Sequence, residues 1–255
     1  MEELRVLRVT VHAPVTSFRY PFFVVGSQPS FAMPPPSTVH GHCASALGRW
    51  PEPRDFYFGI HFVFRSKVRD LEHQHITQAL GAKAKTFVPT ASGPVRATTE
   101  IVVQPVLREM LFDATMTLYL DPAVGEAFRR PVFPVALGRS QDLAEVVSVE
   151  PVTLTRPRRA RIEHTLLPRA VRPCVRFGQT VLLSRYVSEP PERHAEFAQY
   201  IVVHEPVFYG GDSDDSNTFD RVEGIALEDL WCDGTIVDDD GYARGVWLHR
   251  AQDRS

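Results

Sequence analysis

Ser37, Thr38 and His40 follow the proline run Met33-Pro34-Pro35-Pro36 and precede an apolar stretch that stops at Gly48. Ser37 is a good helix N-cap, and the first turn of a helix carries unpartnered N–H groups and a partial positive charge. Such a turn is a seat for a phosphate, with the hydroxyls of Ser37 and Thr38 as added donors and His40 as a donor or stacking face. A plain cap after a proline-stiffened loop accounts for the same residues, and on residue type alone it is the commoner explanation. Upstream, Arg19 and Tyr20 set a guanidinium fork beside an aromatic ring. That pair suits a phosphate and an unpaired base, and equally an ordinary exposed loop. A second set of cations, Arg156, Arg158, Arg159, Arg161, Arg169, Arg172 and Arg176, has Glu163 as the only acid within it. Nucleic acid, an acidic partner or plain water could face it.

Other chemistry is weaker. His40-x-His42-Cys43 and His73-x-His75 space their imidazoles two apart, which on a helix points them to different faces, so no metal site is expected. The acidic run Asp212–Asn217 lacks the glycine and terminal glutamate of a calcium loop. There is neither a Gly-x-x-x-x-Gly-Lys run nor a Gly-x-Ser-x-Gly elbow, and no cofactor is expected.

Elements must hold these residues in place. Residues 4–12 alternate apolar and polar side chains, as a half-buried strand does. A helix is expected from Thr38 to Leu47 with Gly48 as its stop, then a strand over Asp55–Arg65 with Phe56, Phe58, Ile60, Phe62 and Phe64 on one face. Residues 66–110 are long, polar and β-branched, with a turn at Ser92-Gly93-Pro94, and read as an extended hairpin or arm. Ala114–Leu120 is a strand, Asp121-Pro122 opens a short helix to about Arg130, Gly138-Arg139-Ser140 is a turn, and Leu143–Val149 is a further strand. The expected class is α+β, with a ferredoxin-like βαββαβ core over residues 1–150 carrying an inserted hairpin. A β-rich extension follows over 151–255, with strand-like runs at Thr180–Val187 and Ala198–Val207.

Of the 255 residues, 44% are hydrophobic and 23% charged, the balance of a chain with a real core. No apolar run is long enough to span a bilayer, and Met-Glu-Glu-Leu-Arg is not a signal peptide. Three widely spaced cysteines, Cys43, Cys174 and Cys232, fit a reducing cytoplasm. The net charge of −3 hides an asymmetry: residues 205–240 hold twelve acids and one arginine, whereas residues 1–204 hold 24 bases and 18 acids. A basic body with an acidic tail hints at nucleic acid. Only three of the 28 bases are lysine; arginine suits phosphates and bases, though GC-rich coding explains the bias as well.

The stretch Val11–Tyr20 (Val-His-Ala-Pro-Val-Thr-Ser-Phe-Arg-Tyr) resembles the opening strand and loop of the Cas-five family, the RAMP-type subunits of type I CRISPR Cascade complexes. Gln28–Gly41, with its proline run and Ser37-Thr38-x-x-Gly41, is similar to that family's entry into its first helix, which ends like this one in Ala46-Leu47-Gly48. Arg108-Glu109-Met110-Leu111 and Phe133–Leu143 resemble two further blocks. The blocks come in family order over residues 4–150, and the last hundred residues match much less.

The resemblance implies a RAMP core with a protruding thumb within 66–110. It implies a seat at the foot of the complex, where the subunit holds the repeat-derived 5′ handle of the crRNA beside a Cas-seven-type backbone subunit and a Cas-eight-type large subunit, meets target DNA only indirectly, and touches no membrane. Overall pattern is nearest the type I-B branch. On this footing Lys83, Lys85 and Arg96 of the thumb would line an RNA channel, and Arg108 and Arg139 join Arg19, Tyr20, Ser37, Thr38 and His40 as RNA-binding candidates. Some relatives cleave precursor RNA with a base, an acid and a cation acting together. Here Tyr20, Tyr57, His40, His42 and His61 with Lys67 or Lys83 would have to supply them, and no triad spacing stands out, so a non-catalytic binder is expected. A structural adaptor without RNA contact is the third reading.

Overall fold

Alternation at the N-terminus becomes the central strand of the molecule. A computed structural model describes residues 2–23, 26–52, 56–80, 87–189, 191–210 and 217–250. In chain order its elements are β1 (Glu3–Thr16), β2 (Ser27–Gln28), α1 (Pro36–Leu47), β3 (Tyr57–Ala79), β4 (Phe87–Thr90), β5 (Gly93–Arg96), β6 (Thr99–Leu120), α2 (Pro122–Gly125) running into a 3-10 turn (Glu126–Arg129), and β7 (Glu145–Thr155). Then come β8 (Ala160–Ile162), β9 (Thr165–Pro168), a 3-10 segment (Arg169–Cys174), β10 (Gln179–Val187), β11 (Ala195–Val203), β12 (Val207–Tyr209), β13 (Thr218–Phe219), β14 (Leu230–Val237), β15 (Ala243–Trp247) and β16 (His249–Arg250). The chain is strand-rich with few helices.

Four strands lie side by side in the order β7-β1-β6-β3, each antiparallel to its neighbour. α1 joins the first to the second of these in sequence, and α2 joins the third to the fourth. The C-terminal strands widen the same sheet: β14 pairs with β7, and β16 pairs with the far edge at β3. β7 runs through residue 150, so the sheet is continuous across that point.

Val9, Val11 and Ala13 of β1 and Phe58, Ile60 and Phe62 of β3 face α1. On the opposite face Val6, Tyr119 and Leu154 are covered by Trp231, Val246 and Leu248. A separate sheet, β10-β11-β9, lies over the outer side of α1 and adds Leu166, Leu183 and Tyr200 to the first core. α1 is therefore walled in on several sides and has no clean polar face: Val39, His40, His42, Cys43 and Ala46 are all buried. Each fully buried apolar side chain stabilises the fold by roughly 1.5–3 kcal/mol.

Helix boundaries differ from expectation at one end. The N-cap of α1 is Pro35, with no side-chain cap, and Ser37 lies inside the first turn. Proline at the first helical position has no N–H to satisfy, so the cap is unnecessary. At the other end Gly48 takes φ 72°, and a Cβ there would come within 2.9 Å of Val132. Asp121 caps α2 as expected, accepting from the Ala123 N–H at 2.9 Å. The stretch expected to be an extended hairpin or arm is a two-stranded ribbon continuous with β3 and β6, whose register is unbroken in direction from Phe58↔Leu120 to Ala79↔Thr99. Beyond the Glu72↔Val106 pair the ribbon is solvated on both faces, and β4 and β5 form a short hairpin at 87–96. No helix of the described residues is long and apolar enough to cross a membrane.

Burial holds several imidazoles neutral. His42, whose Nδ1 bonds the Ala136 carbonyl, and His249, bonded to the Leu166 carbonyl, are each pushed down to about 4, and His61 to about 3 by burial together with Arg244, His164 and Arg161. In the unfolded chain these groups take a proton near about pH 6.5. Below that pH the unfolded state binds more protons than the fold, so stability falls as pH drops. Thermal unfolding from about pH 7 to about pH 5 is expected to show a falling Tm; a flat Tm contradicts these buried neutral imidazoles.

Candidate RNA-binding cleft

β1 leaves the sheet at Thr16, and the chain turns under tight restraint. Thr16 Oγ1 donates to the Leu137 carbonyl at 2.5 Å, Ser17 Oγ to the Glu109 carbonyl at 2.8 Å, and Ser30 Oγ accepts from the Phe18 N–H at 2.9 Å. Against this loop lies the turn that carries Arg139. Gly138 there has φ 91°, and a Cβ would stand 2.5 Å from Thr16 Oγ1 and 2.7 Å from the Ser17 carbonyl, so only glycine allows the approach. These segments, the mouth of α1 and the roots of β3 and β6 enclose a cleft of about 400 Å³. Four sequence candidates line it: Arg19, Thr38, Arg108 and Arg139.

Its cations are held in place by shared carboxylates. Arg108, buried on β6, pairs with Glu72 of β3. Glu72 also accepts from Arg139 at 3.4 Å and from Gln141 at 3.4 Å. Arg139 is further gripped by the buried Asp142 through two side-chain bonds of 2.6 and 2.9 Å, and this hydrogen bonding outweighs burial to raise the guanidinium above its usual value. Glu109 anchors the next layer. Burial alone would raise its carboxyl, but the Ser30 N–H, Lys67 and Arg69 together bring it below the usual range. Three arginines against two carboxylates, Glu72 and Asp142, leave the cleft with its supports net positive by one charge.

Other candidates fall elsewhere. Ser37 Oγ lies 2.6 Å from Ser184 Oγ, and Ser184 itself lines the cleft. The N–H groups of Thr38 and Val39 both donate to the Pro35 carbonyl, so fewer donors face outward than a bare helix start would offer. Tyr20 is half-buried, with one face stacked on Phe31 at a centroid distance of 3.7 Å. His40 is a correction: it is 1% exposed, its Nε2 bonds the Pro51 carbonyl, and its ring packs edge-on against Trp50, Phe56 and Tyr186. The sheet laid over the outer side of α1 takes it out of solvent. Arg96 lies exposed on the β5 hairpin, remote in sequence from the cleft, and Lys83 and Lys85 lie outside the described residues. Of the groups weighed for acid–base chemistry, Lys67 pairs with Glu109, whose charge also acts on Tyr20, and Lys83 lies outside the described residues. His40 and His42 are core residues, Tyr57 is pushed up to about 12 by burial and Asp121, and His61 faces His164.

Much of the second arginine cluster is engaged within the molecule. Arg156 bonds Glu2 at 2.8 Å and covers the Trp231 ring; Arg159 covers Tyr242; Arg161 pairs with Glu163 and Asp238; Arg176 pairs with Asp220. Part of the acidic tail thus serves as counter-charge to these arginines.

Glu72, Asp142, Gln141 and Ser184 were not among the expected site residues. Asp142 stands three residues after Arg139, a spacing that a turn brings together. Glu72 and Ser184 carried no such local signal.

Residues 6–193 match the family described as "CRISPR-associated protein (Cas_Cas5)". The chain belongs to that family. Among solved structures, a chain of a "CRISPR RNA-guided surveillance complex" is 19% identical, with 79% of this chain and 90% of that one covered and a TM-score of 0.49. A CRISPR protein from Archaeoglobus fulgidus is 14% identical over 97% of this chain and 99% of its own, with a TM-score of 0.43. A chain of the Type III-B Cmr-beta complex bound to cognate target RNA and AMPPnP is 12% identical over 80% and 85%, with a TM-score of 0.38. No curated protein matches the chain.

Glu72→Gln removes the counter-charge of a buried arginine and should cost on the order of 2–3 kcal/mol of stability. Urea unfolding measures it; an unchanged midpoint contradicts the shared-carboxylate arrangement.

Proposed function

We propose that this Cas-five family chain is a non-catalytic subunit of a type I CRISPR Cascade complex, nearest to type I-B, that seats the 5′ handle of the crRNA and caps the foot of the assembly. The observation that carries the reading is the convergence of Arg19, Thr38, Arg108 and Arg139 on one net-positive cleft at the start of α1. They come from four segments far apart in sequence. A fork preorganised by carboxylates presents its remaining N–H groups to a phosphate with little ordering cost.

On this reading the antiparallel order β7-β1-β6-β3 with its two helical connections is a ferredoxin-like RAMP core, and the outer part of the β3–β6 ribbon is the thumb. The thumb, with Arg96, extends the RNA path toward a Cas-seven-type backbone subunit. A Cas-eight-type large subunit completes the foot, and target DNA is met through the crRNA. The complex works in the cytoplasm.

Arg19 is the informative residue to change, because it is exposed whereas Arg108 and Arg139 also hold the fold together. Arg19→Glu should weaken binding of a 5′-handle oligonucleotide in fluorescence anisotropy. It should also flatten the dependence of log K on log salt by about 0.7 for each phosphate no longer neutralised. An affinity and salt slope equal to wild type would exclude the cleft as the phosphate seat. Repeat RNA incubated with the chain without metal should stay intact; a specific cut would favour a nuclease.

A further inference from the structure

Beside segments that line this cleft the protein exposes aromatic rings that its core does not use. Phe22 is 71% exposed, Phe23 50% and Phe197 42%. Phe22 and Phe197 come from the loop after β1 and from β11, yet their ring centroids lie 6.2 Å apart. Both approaches lead back to the cleft. Phe22 and Phe23 closely follow Arg19 and Tyr20, with Tyr20 edge-on to Phe23 at 5.9 Å. Phe197 is the register partner of Ser184, so the two side chains share a face of the β10–β11 pair, and Ser184 lines the cleft. One exposed phenylalanine needs no explanation. Three from two distant segments, gathered beside a net-positive cleft, mark a binding surface.

We infer, on the phosphate-seat reading above, that Phe22, Phe23 and Phe197 form a stacking platform for unpaired bases of the RNA whose backbone lies in the cleft. Charge decides the occupant. Arg19, three residues before Phe22, lines the cleft, so a ligand that reaches both presents anionic groups to one side and flat apolar faces to the other, which is the chemistry of single-stranded RNA. Stacking accepts any base, so the platform orders the strand without reading its sequence.

The test uses the full chain and two fluorescein-labelled single-stranded RNAs of one length, one normal and one abasic at its internal positions. Phe22→Ala and Phe197→Ala should each weaken the normal RNA by about 5- to 140-fold, the range for removing one base–aromatic stack. They should leave the abasic RNA unaffected, and Phe197→Trp should bind the normal RNA like wild type. 2-Aminopurine in the normal RNA should be quenched by wild type and less so by the alanine variants. Unchanged affinity, or an equal loss on both RNAs, while Arg19→Glu still weakens both, overturns the platform and leaves the phosphate seat standing. Failure of wild type to bind either RNA overturns both. Loss of association with a neighbouring protein subunit at unchanged RNA affinity assigns the rings to a protein and overturns the platform.

Discussion

A buried arginine cannot stay without counter-charge, and Arg108 sets that demand at the root of the β3–β6 ribbon. Glu72 meets it, and in doing so draws Arg139 and Gln141 to the same spot. The loop holding Arg139 is then pinned against Thr16 and Ser17, an approach that Gly138 alone permits. Remote segments are thus locked together around one shared carboxylate, and the cleft is the space they leave. Arg108 and Arg139 are stiff, since each is held before any ligand arrives.

Much of the fold was legible in residues 1–150. Alternation announced β1, the apolar face of Phe56, Phe58, Ile60, Phe62 and Phe64 announced β3, and Asp121-Pro122 announced α2, because each is a local pattern with a local cause. What could not be read was how far β3 continues. A solvated ribbon has no buried face, so its side chains need not alternate in polarity, and a paired hairpin cannot be told from a free arm.

The site was legible in part for the same reason. Arg19, Thr38, Arg108 and Arg139 lie in segments whose character the sequence displays, and the structure brings them to one cleft. His40 misled because a helix starting after prolines looks one-sided. The sheet β9–β10–β11, drawn from the less recognisable last hundred residues, covers its other side and buries the ring. The same sheet brings Ser184 to the cleft, with Phe197 as its register partner, and no local pattern could have placed Ser184 there. The charge split also changes meaning in three dimensions: Asp220 and Asp238 of the acidic stretch neutralise arginines of the 156–176 cluster rather than repel a distant ligand.

The central claim is that RNA lies in the cleft. Ultraviolet crosslinking of the assembled complex, with mass spectrometry of the RNA-bound peptides, tests it most directly. Crosslinks from the 5′ end of the guide strand should fall in the segments bearing residues 17–23 and 138–141 and at the start of α1. Crosslinks confined to the 156–176 cluster or to the C-terminal strands, with those segments unmodified, would contradict the account.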